Sequence, residues 1–211
     1  MLFKIKYNIY TIILMATLVS FLGFLVENVW LAMTKGYIDN RNMYFPFLLG
    51  YGFAILSLYY ILGTPKDATY LKRLPFLDTP FKMVMFYWLC AFCFVCIAEV
   101  LLGTFIERTC QVVLWNYSRF TLHITKYTSV PTSTAFAFII TFYMDRCFTP
   151  IMQALSNIDY STAKSVSLIF LVVMVSDFTY NAYRMYTHKD FNHVWKFDLK
   201  RHKYYRLTKQ D

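Results

Sequence analysis

The 211-residue chain is 58% hydrophobic and 20% aromatic but only 16% charged, where a soluble globular domain carries about 25% charge. This excludes an ordinary soluble enzyme domain. The formal net charge of +9 is not a nucleic-acid footprint either, because the excess lies in loops and in the last stretch of sequence beside apolar runs. A lipid bilayer is the expected partner, and nucleic acid is not.

The apolar runs are taken in chain order. The first, 10–33, follows Lys4 and Lys6 and carries Glu27 near its end. It is too long for a signal-peptide core and no small-residue cleavage site follows, so it reads as a retained span. The second run, 45–63, opens with Gly50, Tyr51 and Gly52. Glycines there permit close helix approach or a broken turn, and a helix start offers N–H groups to an anion. Residues 64–80, with Pro65, Pro75, Pro80, Asp67 and Asp78, form a connector.

The third run, 82–104, carries Glu99 and three cysteines, Cys90, Cys93 and Cys96. Steps of three on a helix turn about 300°, so these sulfurs spiral apart and read as packing residues, not metal ligands. Segment 107–120 mixes Val112, Val113, Leu114, Trp115 and Tyr117 with Arg108, Gln111 and Arg119. That mixture suits a short interfacial helix or a re-entrant piece. The fourth run, 131–152, holds Asp145 beside Arg146, and the fifth, 165–184, holds Asp177. Lysines and arginines then interleave with Phe191, Trp195, Phe197, Tyr204 and Tyr205, as in a membrane-surface segment. The spacing of His188, Asp190 and His193 is too generic for a metal site. No internal repeat and no pair of similar halves is visible.

These features predict an all-α, polytopic integral membrane helix bundle. It has about five transmembrane helices with a short interfacial or re-entrant segment after the third. Residues 1–186 form the bundle and 187–211 a basic aromatic juxtamembrane tail. Five spans place the termini on opposite faces. A cytoplasmic C-terminus puts 13 basic residues inside and 7 outside, with Lys66, Lys72, Arg73 and Lys82 running against the rule.

A carboxylate in hydrocarbon must find a cation, a hydrogen-bond donor or a proton, so the intramembrane acids are the first functional candidates. Odd-numbered spans run in one direction. Glu27, Glu99 and Asp177 therefore share a membrane face with Asn40, Arg41, Tyr51, Gly52, Glu107, Trp115, Tyr117 and Ser118. Arg41 and Arg108 are the nearest guanidinium groups, and Arg41 is the expected partner of Glu27 and Glu99. Asp145 belongs toward the other face, paired with Arg146. There is no G-x-x-x-x-G-K-[ST], H-E-x-x-H, G-x-S-x-G or G-x-G-x-x-G, so the chain has no ATP site of its own and soluble-type enzyme chemistry is unsupported.

The stretch Gly23 to Glu27, then Asn40-Arg41, Pro46 and Tyr51-Gly52, resembles the bacterial ABC-transporter type IV permease family. So does the second half: Glu99, Glu107, then Trp115-Asn116-Tyr117-Ser118 where the family shows W-D-Y-S. The resemblance covers 21–157. Phe24 stands where the family has Trp, Asn42 where it has Gly, Asn116 where it has Asp and Thr121 where it has Asn; no Gly stands at 124. The resemblance implies the membrane component of an ABC transporter, in the bacterial cytoplasmic membrane, served by a separate ATPase subunit or assembled as a homo-oligomer. It transfers Glu27, Arg41, Glu99 and Trp115 as site positions.

The leading expectation is a permease or transporter component. Its substrate or ion site draws on Glu27, Asn40, Arg41, Tyr51, Gly52, Glu99, Glu107, Trp115, Tyr117 and Ser118, with Asp177 and Asp145 secondary. An intramembrane lipid-binding or small-molecule-binding protein or enzyme, or an accessory scaffold acting through the tail, is the alternative. No cofactor and no metal is expected.

Overall fold

The computed structural model describes residues 7–67 and 77–200, together with the backbone of 203–206. Helix α1 (Ile9–Lys35) starts where the Asn8 side chain accepts the Tyr10 N–H at 3.0 Å. It stops at Gly36, whose φ of 76° lets its N–H turn back to the carbonyls of Leu31 and Ala32. Strand β1 (Tyr37–Asp39) follows, then α2 (Leu49–Leu62). Helix α3 (Pro80–Cys110) is capped by Thr79 and begins with proline, which costs nothing where the N–H has no helical partner. A hairpin of β2 (His123–Thr125) and β3 (Thr128–Ser129) leads into α4 (Val130–Phe142), capped by Ser129. A π-helical turn, Tyr143–Cys147, joins α4 to α5 (Phe148–Ser156) in one continuous span, Val130–Ser156. Helix α6 (Tyr160–His188) is followed by β4 (Trp195–Asp198) and β5 (Lys203–Arg206).

Among the described residues, four helices are long and apolar enough to cross a membrane: Ile9–Lys35, Pro80–Cys110, Val130–Ser156 and Tyr160–His188. On α3, Ile97, Leu101 and Phe105 form an exposed apolar row four residues apart, the surface that lipid covers. The chain is thus an all-α, multi-pass membrane protein. The second run is shorter than expected: α2 has 14 residues, about 21 Å of helix against the ~30 Å of a hydrocarbon core. Pro46 explains the difference, since it disfavours helix at Phe45; the Leu48 N–H then bonds to the Ser20 carbonyl of α1.

The segment after α3 also differs in detail. No helix continues past Cys110, because Gln111 adopts a left-handed φ of 58° and closes α3. The chain then runs as irregular backbone into the β2–β3 hairpin, with the Tyr117 N–H on the Lys126 carbonyl at 2.8 Å. Part of the basic aromatic stretch forms strand: β4 pairs antiparallel with β1, Tyr37 opposite Asp198, and with β5, in the order β1-β4-β5.

The chain divides into two compact units. In one, α1 packs along α6 beneath the β1-β4-β5 sheet, and residues 49–55 of α2 belong to it. In the other, α3 packs along α4 and carries the hairpin, with residues 56–62 of α2.

Asp159 caps α6 by accepting the N–H groups of Ser161 and Thr162 at 2.9 and 3.1 Å. The Thr162 hydroxyl first, and these backbone groups next, hold its carboxyl below the usual carboxylate range. A depressed folded value means that the cap stabilises at neutral pH and is lost as pH falls through that value. Hydrogen exchange should show the Ser161 and Thr162 amides protected at neutral pH, losing protection on acidification and in Asp159→Ala, while Asp159→Asn, itself a good cap, retains it.

Candidate functional site

In the α1–α6 unit, Glu27 sits one helical turn past Gly23, and that glycine seats Tyr51. A Cβ on Gly23 would lie under 3.0 Å from Cβ, Cγ and Cδ2 of Tyr51. The Tyr51 ring lies in that gap, and its hydroxyl donates to Glu27 Oε1 at 2.7 Å. Gly52 performs a similar service one residue on: a Cβ there would meet the Ala16 carbonyl oxygen and Ser20 Oγ of α1 at 2.7 Å. A Cβ on Gly50, by contrast, would meet nothing within 4 Å, so close helix approach does not require glycine there.

Arg41 completes the group. Its Nη2 lies 3.1 Å from Glu27 Oε2 and its Nη1 3.7 Å from Asp39 Oδ1, so one guanidinium bridges two carboxylates. The backbone is shaped for this. Arg41 and Asn42 have left-handed φ values of 49° and 65°, and Asp39 Oδ1 accepts the Arg41 N–H at 2.9 Å. Asparagine is among the few side chains that tolerate such a φ. Asn28, one residue after Glu27, receives the Asp39 N–H at 2.8 Å and ties β1 to α1. Glu27 and Arg41 stay 23% and 26% exposed, whereas Arg41 Nε is buried with no hydrogen-bond partner among the described residues. Beside them Tyr37 carries Lys196 Nζ over its ring at 3.8 Å. Burial pushes the Tyr37 phenol up, with Asp39 adding to the effect and Arg41 opposing it.

Asp177 belongs to a second, drier network in the same unit. Its two carboxylate oxygens accept the backbone N–H groups of Tyr44 and Phe45 at 3.1 and 3.0 Å, and Asn181 donates to Oδ1 at 2.7 Å. Asn181 Oδ1 accepts from Asn192 Nδ2 at 2.7 Å, and Arg184 Nη1 donates to Asn192 Oδ1 at 2.8 Å. Asn40 donates to the Asn192 carbonyl at 2.6 Å and accepts the Val194 N–H at 3.1 Å. Asn40 is therefore a buried tie between the Arg41 turn and the segment after α6. Asp177, expected near Arg41, serves the same tie from the helix side.

The α3–α4 unit repeats the first pattern locally. Gly103 seats Tyr127, whose ring atoms would lie within 3.0 Å of a Cβ there. One turn on, Glu107 is paired with Lys126 at 2.5 Å. Each unit thus has G-x-x-x-E on a long helix, a tyrosine ring on the glycine and a cation on the glutamate, a likeness too short to register as a sequence repeat. Trp115 Nε1 donates to the Tyr127 carbonyl at 2.7 Å, and Ser118 N–H to Asn116 Oδ1 at 2.8 Å, so the Trp115–Ser118 loop braces the hairpin. The Tyr117 ring packs edge-on to Phe120. Glu99, one turn before Gly103, accepts from Ser133 Oγ at 3.1 Å, and Ser133 pairs with Thr128 at 2.8 Å.

In that unit too, Asp145 lies 2.7 Å from Arg146 Nε and 4.0 Å from Lys66 Nζ. The pairing with Arg146 follows the sequence reading; Lys66, from the loop after α2, is an additional partner.

Residues 14–182 match the family described as Putative ABC-transporter type IV. The chain belongs to that family. No match exists among curated proteins or solved structures. The type IV match runs from near the start of α1 nearly to the end of α6 and so takes in both G-x-x-x-E stations. It makes the chain an ABC-transporter-related, multi-pass membrane protein. Gly103, Lys126, Tyr127 and Ser133 in one unit, and Asn28, Asn181 and Asn192 in the other, complete these arrangements but were not singled out from sequence. Their only advance signal is the repeated spacing of glycine and glutamate.

Proposed function

We propose that the chain is a permease component of a transporter and that Glu27, Arg41, Tyr51 and Asp39 form its substrate or coupling-ion site. The observation that carries this is the bridging arginine: one guanidinium faces two carboxylates in a part-exposed setting, and its buried Nε has no acceptor among the described residues. Here an incoming anion can take the Arg41 face, or a cation or proton can compete with Arg41 for Glu27. Glu99, held by a serine hydroxyl, is a candidate acid of the α3–α4 unit by itself. Asn40 holds the turn that presents Arg41, and Glu107, Trp115, Tyr117 and Ser118 hold the hairpin region of the α3–α4 unit. The nucleotide site comes from a separate ATPase chain, and the β4 and β5 strands of the tail lie on the cytoplasmic side.

The test is purification of the tagged chain from its own membranes. A stoichiometric partner with vanadate-sensitive ATP hydrolysis is expected. Glu27→Gln and Arg41→Gln should each lower turnover roughly tenfold or more, the worth of a charge-assisted hydrogen bond, with membrane abundance unchanged. A preparation without ATP hydrolysis, or an equal loss of abundance in both variants, would overturn the reading.

A further inference from the structure

We infer that the α3–α4 unit carries a binding site for the phosphate of an anionic phospholipid. It lies where the start of α3, the residues after α2 and the π-helical turn meet. A cavity of about 680 Å³ opens there. Lys66, Asp78, Asp145 and Arg146 line its polar side, and Phe81 and Val84 line its apolar side.

The π-helical turn is what brings the charges together. The Phe148 N–H bonds to the Tyr143 carbonyl five residues back, so the turn bearing Asp145 and Arg146 is one residue wider than an α-helical one. Asp145 is 12% exposed and sits between two cations, whereas Lys66 and Arg146 remain 64% and 68% exposed. Asp78 is already paired with Lys82 at 2.7 Å. Two cations therefore share one carboxylate, leaving one positive charge over, the complement of a phosphodiester. The first turn of the 31-residue α3 adds the positive end of a long helix to the same wall.

The apolar side decides between a free anion and a lipid. Phe81 is 73% exposed on a helix that crosses the membrane, directly after the residue that begins it. An acyl chain can lie along Phe81 and Val84 while its phosphodiester meets Lys66 and Arg146. Basic pockets between transmembrane helices recognise lipid headgroups in this way. This site is separate from the Glu27–Arg41 cluster and stands or falls independently of the transport reading.

The experiment is native mass spectrometry of the full chain in detergent, titrated with phosphatidylglycerol, phosphatidylcholine or inorganic phosphate. Phosphatidylglycerol should bind in preference to phosphatidylcholine and resist displacement by inorganic phosphate. The double variant Lys66→Gln/Arg146→Gln should weaken it roughly tenfold or more, and Lys66→Gln alone by a smaller factor. Both side chains are largely exposed, so helicity by circular dichroism should be unchanged. The control Lys35→Gln/Lys164→Gln removes equal charge elsewhere and should leave binding intact. Wild-type affinity in the double variant, equal weakening in the control, or displacement of lipid by inorganic phosphate at equal concentration would each overturn the assignment.

Discussion

Asp177→Ala is expected to lower the unfolding free energy by about 2–5 kcal/mol, at roughly 1–3 kcal/mol for each donor its carboxylate satisfies. Asp177 is 7% exposed, and its carboxylate is the acceptor for the Tyr44 and Phe45 N–H groups and the Asn181 amide. Alanine leaves the Tyr44 and Phe45 N–H groups without it, while the Asn181 amide keeps the main-chain carbonyl of residue 177 at 2.8 Å; each orphaned donor costs about 1–3 kcal/mol. Those donors do not relax independently. Asn181 also holds Asn192, which is held in turn by Arg184 and Asn40, so loosening spreads to both sides of the Arg41 turn. Asp177→Asn keeps the shape and one good acceptor but turns an NH₂ toward N–H donors, and should fall between the two. Reversible denaturant unfolding in micelles gives the order. Hydrogen exchange gives the location, with Tyr44 and Phe45 the first amides to lose protection. An Asp177→Ala protein within about 1 kcal/mol of wild type would show that the network does not act as a unit.

The helices were legible because a long apolar run has few other structures to form in a bilayer. The error in α2 is local and physical: hydropathy counted 45–48 as membrane, but Pro46 and the Leu48 bond to Ser20 make those residues a lead-in to the helix. The sheet was hidden for a different reason. β1 and β4 are three and four residues long and lie more than 150 residues apart, so neither local periodicity nor turn spacing could announce their pairing. At the site, the Glu27–Arg41 contact was foreseeable because an acid in an apolar helix needs a cation and Arg41 follows within the next turn of chain. Asp177 was not, since its partners include backbone N–H groups, which leave no trace in a sequence. Asp145 was half legible: its neighbour Arg146 could be named, but Lys66 comes from a loop that read only as a connector.

The glycines give the sharpest test of how the Glu27 site is built. Gly23→Ala should destabilise the protein by about 1–3 kcal/mol, the cost of overpacking, although alanine is the better helix former by roughly 0.8–1 kcal/mol. The clash wins because the obstructing atoms are Cβ, Cγ and Cδ2 of Tyr51, the base of the ring and not the tip of a flexible chain. Moving them requires moving α2 or abandoning the ring's place, and either takes the Tyr51 hydroxyl away from Glu27. Tyr51→Phe removes only that hydroxyl and should cost about 1 kcal/mol. Gly23→Ala should therefore lower the melting temperature further than Tyr51→Phe and impair turnover at least as much. If the two variants melt together, the ring can shift at no cost, and the contact between Gly23 and Tyr51 does not position the glutamate. If Gly23→Ala is the less stable protein yet keeps full turnover, the Tyr51 hydroxyl is dispensable and Arg41 alone holds Glu27 in place.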